Sequence, residues 1–463
     1  MASQIIEKQL ERLGKEPLLG LTIKLAVPVM LSLLVSSSYN ILDSIFVSHY
    51  SSDALVALTI AYPIQTFIFA LSLGAGIGVN SYISRKNGEN NFEEAKNAAL
   101  HAILIGVVIN IIFIIFALFF LDAFLSLYSV SPTIYTMSKT YISIISIVSI
   151  GYIFEVILGK IIQSLGNTTV PMIGSIIGVS IILILDPILI FGYFGFPRLG
   201  VTGAAIATTT GQLISTAVCF YYLFIRTKYI SLNFRGFRFN IMTIVNIYAV
   251  GLPVMIMQSI TASLGVFLNR LLNSFSPDAV SILGIYLRIY TFISMPVLGI
   301  GQGIMPILGF NYGSKNRKRL EECLKLSLKL SFSILLVISI FLFIFPAQII
   351  GLFDPTDNML SIGIPAFKII SFGFIFTSIA IILSIFFQSI GKGKYSLTAS
   401  VFRQVITIIP ASYVLSRLIG VNGVWLSIPI SEFVACLVTI VLFIRIYRKE
   451  IRFFGIEPQP SKS

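Results

Sequence analysis

The chain has 463 residues, of which 56% are hydrophobic and only 11% charged, and its mean hydropathy is +0.95. Soluble domains carry about 25% charged residues, so this composition excludes an ordinary soluble enzyme, a disordered chain and a tail that coats nucleic acid. The 32 Lys and Arg residues outnumber the 19 Asp and Glu residues and give a formal net charge of +13. We therefore predict a polytopic membrane protein embedded in the lipid bilayer, with no nucleic-acid partner.

The chain starts with a polar amphipathic segment, Glu7–Arg12, which lacks the apolar core of a signal peptide. The three cysteines, Cys219, Cys323 and Cys436, lie far apart in apolar or amphipathic stretches. An odd and sparse set of this kind is not a disulfide framework. We predict that all three are buried thiols.

Twelve stretches of the sequence are long and apolar enough to cross a bilayer, which takes about 20 residues per helix. In chain order, the predicted spans 1 to 12 are 20–46, 55–83, 97–121, 137–159, 170–191, 200–225, 241–269, 279–309, 323–346, 361–388, 395–416 and 421–446. Polar breaks separate these spans, and the break within 134–191 is the weakest of them. An even number of spans places both termini on the same side of the membrane.

The Lys and Arg residues lie mainly on one side of this predicted topology. With both termini inside, 24 of them fall in cytoplasmic segments and 4 in the opposite loops. Because cytoplasmic loops retain positive charge, this asymmetry predicts cytoplasmic termini in a multi-pass protein of the cytoplasmic membrane. The basic loops therefore report topology rather than recognition of lipid or nucleic acid.

The two halves of the sequence repeat each other at an offset of 225 residues. Three segments match without a gap, and a fourth matches at an offset of 220: Val27–Met30 with Leu252–Met255, Leu73–Gly78 with Leu298–Gly303, Gln163–Gly166 with Gln388–Gly391, and Gly200–Gly203 with Gly420–Gly423. Each repeat holds six spans, and an even number relates the halves by an axis along the membrane normal.

The predicted fold class is an all-α polytopic membrane protein of 12 transmembrane helices. Its two six-helix lobes are related by a pseudo-two-fold axis along the membrane normal. The predicted domains are the N-terminal lobe 1–225, the cytoplasmic linker 226–240, the C-terminal lobe 241–446 and the cytoplasmic tail 447–463. Alternating access by rocking of two lobes is the mechanism that such repeats usually serve. We expect a monomer, with no obligatory protein partner.

Ionisable side chains inside the spans are costly and therefore indicate function. The acids are Asp43, Glu155, Asp186 and Glu432, and the bases are Arg288, Lys368 and Arg403. The repeat places apolar residues opposite the first three acids, so the shared fold does not require them. A buried carboxylate cluster binds Na⁺ or holds protons, because desolvation and like charge favour the protonated form. We predict cation coupling in the N-terminal lobe, with further oxygen atoms or hydrogen bonds from Tyr39, Asn40 and Gln163.

A structural role is the alternative for each acid. For Glu432 this structural role competes equally with a functional one, since Arg403 or Arg288 could pair with it and only hold helices together. In the N-terminal half, Lys160 lies near a helix end from which its side chain can snorkel, and it is the main challenge to a functional role of the acids. The Asp186-Pro187 pair also predicts a kink, which is compatible with an ion site.

Several motifs in sequence order resemble the multidrug and toxic compound extrusion (MATE) family, across nearly the whole chain. The motifs are Pro28, Tyr39–Asp43, Gln163–Asn167, Leu185–Gly192, Gly200–Ala205, Gly284-Ile285, Arg288, Gly301–Gly303, Pro306 and Asn311–Gly313. The resemblance is greatest to bacterial multidrug exporters. It implies a twelve-helix, two-lobed antiporter that expels organic cations and drugs in exchange for Na⁺ or H⁺.

The resemblance assigns cation coupling to Asp43 and Asp186, and it matches Glu155 to a glutamate in span 4. With Na⁺ as the coupling ion, Asp43 and Asp186 would be the metal ligands. Many relatives carry Asn four residues before the span 5 aspartate, whereas this chain has Ile182. The coupling ion is therefore H⁺ or Na⁺, and we expect no other cofactor.

The sequence indicates the substrate cavity less directly. Aromatic residues suit amphipathic cations, although most of the 38 Phe and 19 Tyr residues are expected to face lipid or pack. Gln258 and Asn269 in span 7 and Arg288 in span 8 are the candidate cavity residues. Arg288 suits a buried structural pair equally well.

Two other functions were compared with export. A flippase for a lipid-linked saccharide would need a cationic cavity, which Arg288, Lys368 and Arg403 could supply, but the N-lobe acids oppose it. A membrane-embedded enzyme would have to use His49 or His101, and both lie near predicted helix ends. The sequence lacks phosphate-loop, HExxH and paired-cysteine metal motifs. We predict that the protein is not an enzyme.

Overall fold

The computed structural model describes residues 2–230 and 237–454, and every regular element in those ranges is helical. An amphipathic helix, Ala2–Lys15, precedes the membrane helices. Spans 1 to 9 are Leu18–Tyr50, Ser52–Gly88, Phe92–Leu125, Pro132–Ser164, Thr169–Phe191, Val201–Arg226, Ile241–Asn273, Pro277–Gly313 and Arg317–Ile344. Spans 10 to 12 are Asp357–Ser389, Gly393–Ile419 and Val421–Phe453. Short helices Tyr193–Gly195 and Pro346–Gly351 lie in the connections.

The predicted number of twelve spans is confirmed. In the part of the chain that the structure describes, eleven helices are long and apolar enough to span a bilayer, and span 10 completes the set as two helices, Asp357–Ser371 and Gly373–Ser389, that bend by 47°. Each predicted span falls on one observed span, with span 10 on the bent pair, and most spans extend by several residues beyond the predicted limits. The difference arises because helices continue past the hydrocarbon core into the polar layer, where sequence hydropathy no longer marks them.

Some helix starts are fixed by side chains that cap the first turn. Asn91 Oδ1 accepts a hydrogen bond of 3.2 Å from the Glu94 amide at the start of span 3. Ser276 Oγ accepts one of 3.1 Å from the Ala279 amide at the start of span 8. These bonds satisfy amide groups that have no partner within the helix. The capping residues therefore set where the apolar helices begin.

The helices form two compact units. The first contains Met1–Arg12, Val27–Ile83 and Asn91–Gly251, and the second contains Leu13–Ala26, Ser84–Asn90 and Leu252–Ser463. The predicted lobe limits follow the sequence repeat. The compact units differ from these limits, because the first residues of span 1 belong to the second unit and the first residues of span 7 belong to the first. Residues 231–236 of the predicted linker and 455–463 of the predicted tail lie outside the described residues.

The repeat is visible in the backbone conformation. Gly166 and Gly391, 225 residues apart, end spans 4 and 10 with φ values of +79° and +82°. Gly200 and Gly420 precede spans 6 and 12 with φ values of +57° and +66°. A positive φ is strained for residues that carry a Cβ, which explains why glycine occupies these paired turns. The cysteines Cys219, Cys323 and Cys436 are buried free thiols, as predicted.

Within the second unit, the ends of spans 2 and 8 cross at two glycines that are also repeat partners. A Cβ on Gly88 would collide with the carbonyl oxygen of Phe310, and a Cβ on Gly313 would collide with that of Arg85. Helices in membranes approach this closely only where small residues face each other. The paired glycines therefore fix the contact between these two helix ends.

Replacing Gly313 with alanine is expected to lower the free energy of unfolding by about 1–3 kcal/mol, because the added methyl group meets rigid backbone. Gly284→Ala in the same span is the matched control, since a Cβ there has nothing within 4 Å. That variant should be neutral or slightly stabilising, because alanine favours helix more than glycine does. The midpoint of thermal unfolding of the purified protein measures both effects, and equal midpoints would contradict the close contact.

Candidate functional site

Two acids from spans 1 and 5 meet inside the first unit. Asp43 is 7% exposed and Asp186 is fully buried, and their carboxyl groups lie within hydrogen-bonding reach of each other. Among the described residues, Asp43 Oδ1 and both carboxyl oxygens of Asp186 have no hydrogen-bond donor. Two carboxylates in contact repel each other when both are ionised, so such a pair holds a proton or a cation.

Close packing of spans 5 and 6 sets the position of Asp186. A Cβ on Gly178 would lie 2.7 Å from the carbonyl oxygen of Gly211, and one on Gly211 would lie 2.5 Å from that of Gly178. One helical turn beyond Asp186, a Cβ on Gly203 would lie 2.6 Å from the carbonyl oxygen of Leu189. The small residues let the two helices touch on both sides of the acid.

Two tyrosines border the acid pair. The Tyr39 hydroxyl lies 2.7 Å from Thr208 Oγ1, and the Tyr141 hydroxyl accepts a hydrogen bond of 2.9 Å from Gln65 Nε2. Both phenols lie within electrostatic range of Asp43 and Asp186. The backbone of Asn40 is helical, but its side chain lies outside the described residues.

Tyr39 was predicted from the sequence, whereas Tyr141, Gln65 and Thr208 were not. These three residues are polar positions in otherwise apolar spans 2, 4 and 6. Their polarity is visible in the sequence, but it does not distinguish them from many other Ser, Thr and Tyr residues in the spans. Only the packing of the helices shows which polar groups face the acids.

Ile182 lies one helical turn before Asp186 and is 3% exposed. It belongs to a buried apolar cluster with Leu189 and Ala207, against which Tyr39 packs. A hydrocarbon side chain therefore occupies the position at which many relatives are expected to carry an amide oxygen. It offers no ligand atom to a cation.

Glu155 lies in a separate polar cluster of the first unit. Its Oε1 accepts a hydrogen bond of 3.0 Å from Ser175 Oγ, and Ser215 of span 6 lies nearby. Tyr152 and Cys219 lie within electrostatic range of Glu155. The structure thus brings together Asp43 and Asp186 but not Glu155, whose role in coupling stays a prediction.

Gln163 does not reach the acid pair through a described contact. Its Oε1 accepts a hydrogen bond of 2.9 Å from Lys160 Nζ, and both side chains are buried near the end of span 4. The aliphatic part of Lys160 packs over Gly76, where a Cβ would lie 2.8 Å from Lys160 Cγ. Lys160 is therefore held at the helix end by Gln163 and by this contact.

In the second unit, Glu432 and Arg403 form an ion pair. Arg403 Nη1 lies 3.1 Å from Glu432 Oε1, and the Glu432 side chain is 7% exposed. Tyr290 of span 8 is within hydrogen-bonding reach of Arg403, which lies in a π-helical turn of span 11, Phe402–Ile408. Of the two partners considered for Glu432, the structure shows Arg403.

The candidate cavity residues of the second unit stand apart from this ion pair. Asn269 and Arg288 are exposed, and Gln258 is half-buried. Their assignment to a substrate cavity stays a prediction.

The two histidines contact the backbone. His101 Nε2 accepts a hydrogen bond of 2.9 Å from the Asn240 amide, so its other ring nitrogen donates to the Asn97 carbonyl oxygen at 2.8 Å. His49 Nδ1 lies 3.0 Å from the carbonyl oxygen of Ile45. His49 therefore makes a contact at the end of span 1, and His101 makes one with the linker. These contacts explain both histidines by a structural role.

Within residues 2–230 and 237–454, no three His, Cys, Asp or Glu side chains form a group suited to a metal ion. The acid pair offers three carboxyl oxygens without a donor, with the Tyr39 hydroxyl nearby. A hard cation takes several oxygen ligands. These oxygens are the ones that a coupling proton or cation would contact.

The family model MatE matches residues 28–188 and again residues 253–414, in the register of the internal repeat. The multidrug export protein MepA of Staphylococcus aureus strain MRSA252 is 24% identical over 437 residues, which cover 94% of this chain and 96% of that protein. MepA of Staphylococcus saprophyticus is 24% identical and covers 90% and 91%.

Solved structures agree over the full length. A multidrug resistance MATE family transporter of the MOP superfamily, in an outward-facing conformation, is 25% identical with a TM-score of 0.87, covering 97% of this chain and 99% of that one. A MATE protein in a bent conformation is 26% identical with a TM-score of 0.88, covering 96% and 98%. These matches confirm the expected twelve-helix, two-lobed fold. The chain belongs to the MatE family.

Proposed function

We propose that this protein is a secondary antiporter that exports organic cations and drugs across the cytoplasmic membrane in exchange for a coupling ion. The names of its relatives support export of drugs, since both MepA proteins are called multidrug export proteins. The two-lobed fold supports alternating access as the transport mechanism. In this proposal the protein is not an enzyme, needs no resident cofactor and acts as a monomer.

The buried pair of Asp43 and Asp186 is the observation that carries the proposal. The two carboxyl groups lie within reach of each other in the first unit, and their remaining oxygens have no described donor. A proton taken up by this pair removes the repulsion between the carboxylates, and its release restores the repulsion. Uptake or release of one proton therefore changes the force between spans 1 and 5. Coupling of transport to a proton gradient requires such a change.

We propose H⁺ rather than Na⁺ as the coupling ion. Ile182 covers one side of the site with hydrocarbon, and the described residues supply no third acid. Dehydrating a cation without replacing its water ligands is unfavourable, whereas a proton needs only the two carboxyl groups. If Na⁺ were used instead, Asp43 and Asp186 would be its ligands.

Ethidium efflux from proteoliposomes tests this function. An H⁺ gradient and a Na⁺ gradient are imposed separately, with the membrane potential clamped in both. The proposal expects efflux that follows the H⁺ gradient and stays at background in the Na⁺ gradient. Efflux driven by Na⁺ alone would reject proton coupling, and no efflux under either gradient would reject the antiporter.

Replacing Ile182 with asparagine is expected to create Na⁺-stimulated efflux. The amide supplies an oxygen one helical turn before Asp186, so the site gains a ligand that a hard cation needs. Efflux rates in the Na⁺ gradient measure the change. Ile182→Val is the control, because it keeps the apolar character and should leave the response to both ions unchanged. An Ile182→Asn variant that folds but ignores Na⁺ would contradict this account of ion choice.

The excess of basic residues in alternate loops supports cytoplasmic termini. Single cysteines introduced at the N-terminus and in the loop that contains Asp354 test the orientation in intact cells. A membrane-impermeant thiol reagent should label the loop and not the terminus. The reverse pattern would overturn the proposed topology.

A further inference from the structure

A groove in the second unit lies at the bend of span 10. Its volume is 470 Å³, and the bend is 47° between the helices that end at Ser371 and begin at Gly373. The residues that line it come from spans 10 and 12: Lys368, Ile369, Phe372, Phe376, Leu426, Pro429, Ile430 and Phe433. At one end, a Cβ on Gly373 would lie 3.2 Å from Pro429 Cα, so the two helices touch there.

The groove is apolar apart from one cation. Phe372 is 56% exposed and Phe433 is 44% exposed, so both rings present open apolar surface. Lys368 is exposed too, and its ammonium lies 5.9 Å from the centre of the Phe343 ring. Among the described residues, no carboxylate forms an ion pair with Lys368. A lysine within a membrane span without an acidic partner is costly, so an anion there is favourable.

The depth of Lys368 suits the phosphate layer of a bilayer. The 33 residues of span 10, Asp357–Ser389, correspond to about 50 Å of helix, of which about 30 Å crosses the hydrocarbon core. Lys368 is 11 residues from Asp357, so it lies about 6 Å inside the core. A lysine side chain can extend that far toward the interface. The ammonium therefore reaches the headgroups of the leaflet at the Asp357 end.

We propose that this groove binds an anionic membrane phospholipid, with its phosphate on Lys368 and one acyl chain along the phenylalanines at the bend. The charge of Lys368 selects the anionic headgroup over a zwitterionic one. The apolar wall accepts the chain through van der Waals packing, which is what drives close contacts within a membrane. The site is separate from Asp43 and Asp186, which belong to the other unit.

The single tryptophan of the chain reports on this groove. Trp425 is the only tryptophan, it is fully buried, and it precedes Leu426 of the groove wall. Trp425 and Pro429 also lie on the same helix face, four residues apart. A phospholipid with brominated acyl chains quenches tryptophan fluorescence when its chain comes close to the ring.

The experiment compares brominated phosphatidylglycerol with brominated phosphatidylcholine at equal mole fraction in unbrominated lipid. We expect at least twofold stronger quenching of Trp425 by the anionic lipid in the unmodified protein. Lys368→Gln should abolish that preference, and Lys368→Arg should retain it. Lys329→Gln is the matched control, because Lys329 is another exposed lysine within span 9, about 21 Å along the helix from Phe343.

Equal quenching by the two lipids in the unmodified protein would overturn the proposal. Retention of the preference in Lys368→Gln would overturn it as well. Soluble glycerol phosphate should not relieve the quenching, because it has no acyl chain to fill the groove. Relief by glycerol phosphate would instead show a site for free phosphate and reject the lipid.

Discussion

Replacing Asp186 with asparagine is expected to reduce gradient-driven ethidium efflux at least tenfold, to the background of empty liposomes. Asparagine has nearly the same shape as aspartate but cannot take up and release a proton. The repulsion between Asp186 and Asp43 is then absent in every state, so uptake or loss of a proton at Asp43 no longer changes the force between spans 1 and 5. Asp43→Asn should have the same effect, because either substitution leaves one carboxyl group where coupling needs two.

A separate measurement distinguishes lost coupling from lost folding. Ethidium binding to the purified variant should remain within a few-fold of the unmodified protein, while proton release on binding, followed with a pH indicator, disappears. Asp354→Asn is the matched control, since Asp354 is an exposed loop acid and should leave efflux unchanged. Unchanged transport in both Asp43→Asn and Asp186→Asn would refute coupling at this pair.

Replacing Arg403 with leucine is expected to destabilise the protein by about 3–5 kcal/mol, because it leaves the buried carboxylate of Glu432 without its counter-charge. The ion pair is 3.1 Å long and the glutamate is 7% exposed. The second carboxyl oxygen of Glu432 already has no described donor, so the carboxylate has little other compensation. The midpoint of thermal unfolding in detergent should fall more than for any other substitution considered for the second unit.

The double variant Arg403→Leu/Glu432→Gln separates charge from packing. Removing the carboxylate as well should recover most of the lost stability, because no buried charge then lacks a partner. Arg417→Leu is the control in the same span, since Arg417 contacts Tyr413 at the surface and should cost less than about 0.5 kcal/mol. No recovery in the double variant would mean that Arg403 contributes through its contacts with Tyr290 instead.

Hydropathy does not encode the bend of span 10 or the two close glycine contacts. The prediction of span 10 as 361–388 was correct in position, yet the sequence did not reveal the 47° bend beside Phe372. Hydropathy measures the preference of each residue for lipid. A bent helix and a straight helix of the same composition have the same hydropathy, so this measure cannot reveal a bend. The groove beside Lys368 lies at that bend, so hydropathy did not predict it.

The sequence by itself determined the twelve spans, the repeat and the family, because these depend on composition along the chain and on residues at fixed spacing. It also identified the costly charges, since an acid in an apolar span is unusual wherever the helix packs.

Only the tertiary structure decided which charges meet. It joined Asp43 to Asp186, placed Glu155 with Ser175 and paired Glu432 with Arg403. The physical reason is that electrostatic interactions fall off with distance in space, and distance between spans is set by close packing of small residues that lie far apart in sequence. The few acids within the spans of this weakly charged sequence therefore have different roles: some are candidates for coupling, and one forms a structural ion pair with an arginine.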